Sequence, residues 1–313
     1  MSSKPRVSIG LPVYNGERFL KQNIESILAQ TFEDFELIIS DNASTDRTEE
    51  ICRQYAAQDG RIRYYRNAKN LGAAQNFNRV FELSSGEFFK WMPADSALEP
   101  EFLARCVSLL DNEPDIILAW TRYILHNEVK NLVHWDDRNY DMRWPKAHLR
   151  VFIFLTCIRG GNMPIWGLMR SDVLRQTQLI RPFVGADDCL LLELAIKGQF
   201  EQLPDHLMQF TRHFDQYSNL KLRTAGKEGM AEARWYDSTN SGTIFFPYWR
   251  RLREFLLVVM RSDAGRDDKL YILAYLMGFA MLCGKRLSNE VFSAIKQVLN
   301  KPGVLNSYHK PVD

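Results

Sequence analysis

The sequence predicts an α/β protein with a doubly wound, mostly parallel sheet and a C-terminal helical segment. Three observations carry this reading. Short apolar runs alternate with stretches of helical period over residues 1–126, the connections between them are brief, and each apolar run ends in small, polar or turn-forming residues. Strands joined through helices by short connections are parallel, with right-handed crossovers. From about residue 225 the strand pattern gives way to helical spacing.

The elements follow in order. VSIGLPV (7–13) is a mostly apolar strand, and RFLKQNIESILAQ (18–30) sets Phe19, Leu20, Ile24, Ile27 and Leu28 on one helical face. ELIIS (36–40) is the second strand. Ser44 or Thr45 can cap the next helix, whose first turn carries Asp46, Glu49 and Glu50 as the helix dipole favours. RIRYYRN (61–67), the helix AAQNFNRVFEL (73–83) and EFFKWM (87–92) continue the alternation. Pro100 suits the first position of a helix carrying Leu103, Val107 and Leu110, and DIILAWTRYIL (115–125) is a fifth strand. Residues 127–148 are polar, with Trp135 and Trp144, and read as a loop or lid. Ordered structure resumes at VFIFLTCI (151–158), GLMRSDVLRQ (167–176), CLLLELAIKG (189–198) and LMQFTRHF (207–214).

Composition narrows the function classes. The 313 residues are 46% hydrophobic and 25% charged, enough for a full core, and a net charge of +2 without a polybasic tract gives no field toward nucleic acid. Five dispersed cysteines without CxxC spacing read as reduced thiols of a cytoplasmic protein. The N-terminus enters a strand with no apolar signal core. The most apolar window, 270–284, falls short of the roughly twenty residues that cross a bilayer, so a buried helix is expected.

Ligands of doubly wound sheets bind beyond the carboxyl ends of the strands. Here those ends read PVYN (12–15), SDNASTD (40–46), RNAKNLG (66–72) and PADS (93–96). No GxGxxG follows the first strand and no GxxxxGK[ST] occurs, so neither a dinucleotide fingerprint nor a P-loop is present.

PVYN, SDNASTD, NLGAAQN and GEFFKWMPADSALEP, in that order and spacing, resemble the nucleotide-binding half of family-2 glycosyltransferases of the GT-A fold over residues 5–120. GADDCLLLELAIKGQF (185–200) and TRHF (211–214) extend the likeness more weakly. The resemblance implies a GT-A domain over 1–224, with a nucleotide-binding half 1–126 and an acceptor and catalytic half 127–224, then a helical accessory region 225–313. It also implies an inverting enzyme that uses a nucleotide-diphosphate sugar, most often a UDP-sugar, with Mn2+ or Mg2+.

Site residues carry over by position. Pro12, Val13, Tyr14 and Asn15 fall in the loop that packs on base and ribose, although Pro12 and Tyr14 also suit a plain turn and packing aromatic. Asp41-Asn42 stands where the family has paired aspartates; Asn42 offers both a donor and an acceptor, so the base preference is open. Asn76 can reach the nucleotide, whereas Gln75 stands where many relatives have arginine. Asp46 reads as a first-turn helix residue. Asp95 falls on the last acid of the family's Asp-x-Asp motif, which meets the divalent ion; the first acid of the motif is Pro93 here, and the acid that often follows it is Ser96. A hard cation wants six oxygens, so one carboxylate suffices only if diphosphate and water bring the rest. His213 is a second candidate metal ligand.

Inversion needs one base on the face opposite the leaving diphosphate. Asp187-Asp188, opening a leucine-rich helix, supply it, with the family register favouring Asp187 and Asp188 raising its proton affinity by repulsion; first-turn acids are also ordinary helix chemistry. Trp135, Trp144 and Trp166 lie near the acceptor side, Trp166 foremost, and the glycines of RGGNMPIWG (159–167) allow close backbone approach. The acceptor would be a glycan or lipid-linked. FFPYWRRLREFLLVVMR (245–261) suits packing, a homodimer or peripheral contact with the inner face of a membrane. A degenerate relative that binds nucleotide-sugar or glycan without transfer is the alternative, motivated by Asn42, Pro93 and Ser96. A nucleotidyltransferase would want the glycine-rich phosphate loop that is missing.

Overall fold

The computed structural model describes residues 4–158, 163–213, 235–236 and 246–299. The expected alternation is present: β1 (Val7–Val13), α1 (Glu17–Leu28), β2 (Phe35–Asp41), α2 (Thr48–Gln58), β3 (Ile62–Arg66), α3 (Ala73–Glu82) and β4 (Phe88–Trp91). Strands β3, β2, β1 and β4 lie side by side and parallel, and the register sets Val13 opposite Asp41. The first two strand ends therefore emerge together. Gly10 lets α3 lie close on β1, because a Cβ there would come within 2.6 Å of Val80 and 2.7 Å of the Phe89 ring.

The second half builds outward from β4. It comprises β5 (Ser96–Leu98), α4 (Phe102–Asn112), β6 (Ile116–Asn127), β7 (Leu132–Trp135) and α5 (Ala147–Ile153), which runs into a π-helical turn, Phe154–Ile158. A 3-10 turn (Met163–Trp166), β8 (Leu168–Arg170), α6 (Ser171–Arg175), α7 (Ala186–Lys197) and β9 (Gln199–Arg212) follow. Strand β8 is antiparallel to β4 and β6, while β6 and β9 run parallel, giving the order β3-β2-β1-β4-β8-β6-β9-β5. Helices α8 (Pro247–Arg261), α9 (Arg266–Leu282) and α10 (Gly284–Leu299) complete the described chain.

Both faces of the sheet are covered, which explains why its central strands read as continuous apolar runs. In β4, Phe88 and Lys90 face the α1/α4 side, where Phe102 packs, and Phe89 and Trp91 face the α3/α7 side. The latter core continues without a break through Leu190 and Leu194 of α7 to Phe255 and Val259 of α8 and Ile272 and Leu276 of α9.

Four local expectations are corrected. The 127–148 segment contains β7, which pairs antiparallel with β6; Leu132, Val133 and Trp135 are exposed, so no buried alternation marked the strand. Helix α2 is capped by neither Ser44 nor Thr45: Asp46 accepts from the Thr48 N–H at 3.1 Å and from Glu17 N–H of α1 at 3.0 Å. Helix α4 begins at Phe102, two residues after Pro100, whose carbonyl accepts from Thr31 N–H at 2.9 Å. The 270–284 window is only half buried: Ile272, Leu276 and Phe279 face the core, while Met277, Met281 and Leu282 are exposed. Arg159–Asn162, the 224/225 boundary and Phe214 lie outside the described residues.

Candidate active site

The first two loops are bolted together. Asn42 N–H donates to the Val13 carbonyl at 2.8 Å, Asn15 N–H to Ser44 Oγ at 2.9 Å, and Thr45 N–H to Asn15 Oδ1 at 2.8 Å. Asn15 holds a left-handed backbone (φ 51°), a conformation that Asn tolerates better than most residues. Pro12 and Val13 are buried beneath, and Tyr14 stands half exposed at the rim. Asp41 is wholly buried: its Oδ1 accepts from Ser44 N–H at 2.8 Å, and its Oδ2 from Tyr64 OH at 2.9 Å and Arg66 Nη1 at 2.6 Å. An ion pair this enclosed fixes the second loop rather than leaving a mobile charge.

Asn42 and Asn76 brace the third loop. Asn42 Oδ1 accepts from Leu71 N–H at 2.9 Å and Asn67 Nδ2 at 3.1 Å, and its Nδ2 donates to Asn70 Oδ1 at 2.9 Å and the Gly72 carbonyl at 3.3 Å. A carboxylate could accept those two bonds but could not donate the others, which accounts for an amide at this position. Asn76 is turned onto β2: its Oδ1 accepts from Ser40 Oγ at 2.7 Å and Asn67 Nδ2 at 3.0 Å, and its Nδ2 donates to the Ser40 carbonyl at 2.9 Å.

Asp95 sits between β4 and β5. Its loop is held by Asn23, whose Nδ2 donates to the Pro93 and Ser96 carbonyls, both at 2.7 Å. The carboxylate lies 3.4 Å from His213 Nε2, and the His213 ring packs on Phe19 at a centroid distance of 4.7 Å. The two candidate metal ligands, far apart in the sequence, are thus brought together. They also fit the chemistry of a hard divalent cation only in part. No group of three His, Cys, Asp or Glu able to hold a metal occurs among the described residues, so Asp95 and His213 would need substrate oxygens to complete an ion's shell. The adjoining pocket, lined by Phe19, Gln22, Asp95, Ser96, His126 and Thr211 among others, measures about 110 Å³, room for a few waters and too little for a nucleotide.

Helix α7 separates the two acids that the sequence left adjacent. Gly185, with φ 85°, turns the chain into the helix, and a Cβ there would meet Arg251 Cδ at 2.9 Å. Asp188 is buried and its Oδ2 accepts from Arg251 Nη1 of α8 at 2.8 Å. A cation from the C-terminal helices thus stands against the Asp188 charge. Asp187 is only half buried and accepts from Tyr236 OH at 3.4 Å. Burial, with both acids nearby, pushes the neighbouring Cys189 thiol well up, so it stays protonated.

An aromatic path joins these parts. Phe77, one residue after Asn76, lies 6.1 Å from Trp166 and 6.5 Å from Trp235, and Trp235 meets Tyr236 at 5.0 Å, between ring centroids. Trp166 is anchored at its carbonyl, which accepts from the buried Lys90 amine. Trp135 and Trp144 are exposed, and Trp135 packs on His206. Trp235 and Tyr236 were missed in the sequence, where nothing but their adjacency, in ARWYD, set them apart.

Comparison with known proteins fits this geometry. Residues 8–176 match the family described as Glycosyl transferase family 2. The chain belongs to this family. Among its relatives, an uncharacterized glycosyltransferase of Haemophilus influenzae is 27% identical over 230 residues, 70% of this chain and 69% of its own. Another, from Methanocaldococcus jannaschii, is 34% identical over 128 residues, 40% of this chain; the chain spans 44% of that relative's length. S. aureus TarS residues 1–349, solved in complex with UDP-GlcNAc, superimposes with a TM-score of 0.64 at 16% identity, covering 88% of this chain and 72% of TarS. The Pyrobaculum calidifontis mannosyltransferase PcManGT, in complex with GDP-Man and Mn2+, gives 0.51 at 15% identity, covering 96% of this chain and 82% of its own. The family-2 chain thus has the GT-A fold, and the mostly parallel sheet is the one the sequence predicted.

Proposed function

We propose that this chain transfers a hexosyl or N-acetylhexosaminyl group from a nucleotide-diphosphate sugar, a UDP-sugar first, to a hydroxyl of a glycan or lipid-linked acceptor, with inversion. One observation carries the reading: α7 presents two acids, of which Asp188 is tied to Arg251 while Asp187 stands half buried at the end of an aromatic path from α3. Asp187 would take the acceptor hydroxyl's proton as that oxygen attacks the anomeric carbon. The bond to the diphosphate breaks on the opposite face, and the proton ends on the Asp187 carboxyl. Pro12, Tyr14 and the Asp41 loop would bed the nucleoside, with Asn42 and Asn76 holding the loops' shape. Trp166, with Trp235 beside it, would wall the sugar and acceptor.

Asp95 and His213 would hold a manganese or magnesium ion, which neutralises charge on a leaving diphosphate when bound. The UDP-GlcNAc complex of TarS and the GDP-Man and Mn2+ complex of PcManGT support donor class and ion alike. Residues 1–224 would form the transferase unit and 225–313 its helical accessory, acting in the cytoplasm. Calorimetric titration with UDP tests the donor assignment: binding should tighten with manganese in the natural protein, and the gain should vanish in Asp95→Ala. Equal UDP affinity with and without manganese would remove the ion site.

A second reading, nucleotide-sugar binding without transfer, is favoured by the sparse metal set of one carboxylate and one imidazole. The two part on donor hydrolysis: a transferase slowly releases free sugar and nucleotide, and a binding protein returns the donor intact.

A further inference from the structure

Helix α9 is apolar on both sides, and among the described residues only one side packs on the core. Ile272, Leu276 and Phe279 pack on the core, while the outward side carries Leu270 and Tyr271, more than half exposed, Met277 (62%), Met281 (80%) and Leu282 (88%). Along that side no charged residue interrupts 270–282, about 18 Å of helix at 1.5 Å per residue. The outer side of α8 adds Leu256 and Met260. A soluble helix ordinarily turns charge outward, and an exposed apolar strip of this length marks a contact surface.

Charge around the strip names the partner. Arg253, Arg261, Arg266, Lys285 and Arg286 are exposed on these helices, against Asp263 and Asp267. The other acids are engaged inward: Glu254 with Arg181, Asp268 with His148, and Glu290 with the Tyr248 and Trp249 N–H groups. Five exposed cations against two exposed acids leave the rim of the apolar stripe net basic, most clearly at the Lys285 and Arg286 end. Two copies packed across this face would bring two net-basic rims together, which opposes that contact. Crossing a bilayer is no better. No single described helix is long and apolar enough, and α9 reaches that length only with Gly284–Phe292, beyond a 60° bend. The His148–Asp268 pair and the packing of Phe152 on Tyr275 (5.2 Å between centroids) also tie α9 to α5.

We infer that the outer side of α8 and α9 docks on an anionic phospholipid surface, its methionines and leucines entering the headgroup boundary and its bases meeting lipid phosphates. The docking itself does not depend on transfer chemistry; its purpose, holding the site at a membrane that carries a lipid-linked acceptor, rests on the function proposed above.

The test is co-sedimentation of the full chain with vesicles of phosphatidylcholine, alone or mixed with phosphatidylglycerol, at low and high salt, beside Met277→Glu/Met281→Glu. The natural protein should pellet with the anionic vesicles, more strongly at low salt. The double variant should lose at least about tenfold in partition, because both side chains would otherwise be buried, while its circular dichroism and UDP affinity stay unchanged. Failure of the natural protein to pellet, equal pelleting by the variant, or a dimer in light scattering that this variant dissociates would overturn the inference. Loss of UDP binding by the natural protein would instead count against the donor assignment.

Discussion

Two single residues show how much of this site is scaffold. Asn42 gives two hydrogen bonds and receives two, all within the loops that frame the nucleotide position. Asn42→Asp would set a carboxylate against the Asn70 Oδ1 and Gly72 carbonyl acceptors, costing about 2 kcal/mol; urea denaturation should show a lower midpoint at unchanged slope. Lys90 is the other. Burial lowers its amine to about 7 from 10.5. Between those values the unfolded chain holds a proton that the folded chain lacks, so this residue makes stability rise as pH rises from about 7. Cys52 and Cys106, pushed up to about 12 by burial, oppose that trend only above pH 9. Lys90→Met should flatten the rise in denaturation midpoint between pH 7 and 9, and an undiminished rise would exclude Lys90 as its source.

At the scale of elements, the proposed chemistry rests on the contact between α7 and α8. Asp188 accepts from the Arg251 guanidinium and Asp187 from the Tyr236 hydroxyl, beside the Cys189 thiol and near the Glu254–Arg181 pair. Arg251→Met takes from the buried Asp188 carboxylate the guanidinium that bonds it at 2.8 Å, and removing one partner of a buried pair costs about 3 kcal/mol. The urea midpoint should fall accordingly, and adding Asp188→Asn should recover part of the loss, a reversal that mere loss of packing would not give. The sequence showed the acid pair and its helix but not Arg251, which is 63 residues from Asp188 and sits in a basic helix with no mark of its own. The same limit applied elsewhere. Strands β1 to β4 were legible because burial on both faces makes them continuously apolar, and the loops after them because turn residues follow apolar runs. Strand β7 was not, since its side chains are exposed, and Asp95 with His213 could be joined only through the family resemblance.

The described residues on both sides of the proposed boundary near residue 224 share one core. Phe255, Val259, Ile272 and Leu276 lie in the same core as Leu190, Leu194 and Trp91. Scanning calorimetry of the full chain should accordingly give a single transition, and two resolved transitions would show that the C-terminal helices unfold on their own. On this account the far helices serve the cleft twice, through Arg251 inside and a membrane-facing surface outside.

The central claim is that Asp187 removes the acceptor's proton at a site where the nucleotide is gripped by other residues. Asp187→Asn tests it most directly, with UDP affinity and release of free sugar from the donor measured on one preparation. The account predicts unchanged affinity and a loss of turnover of at least about a hundredfold. Turnover at the natural rate would contradict it.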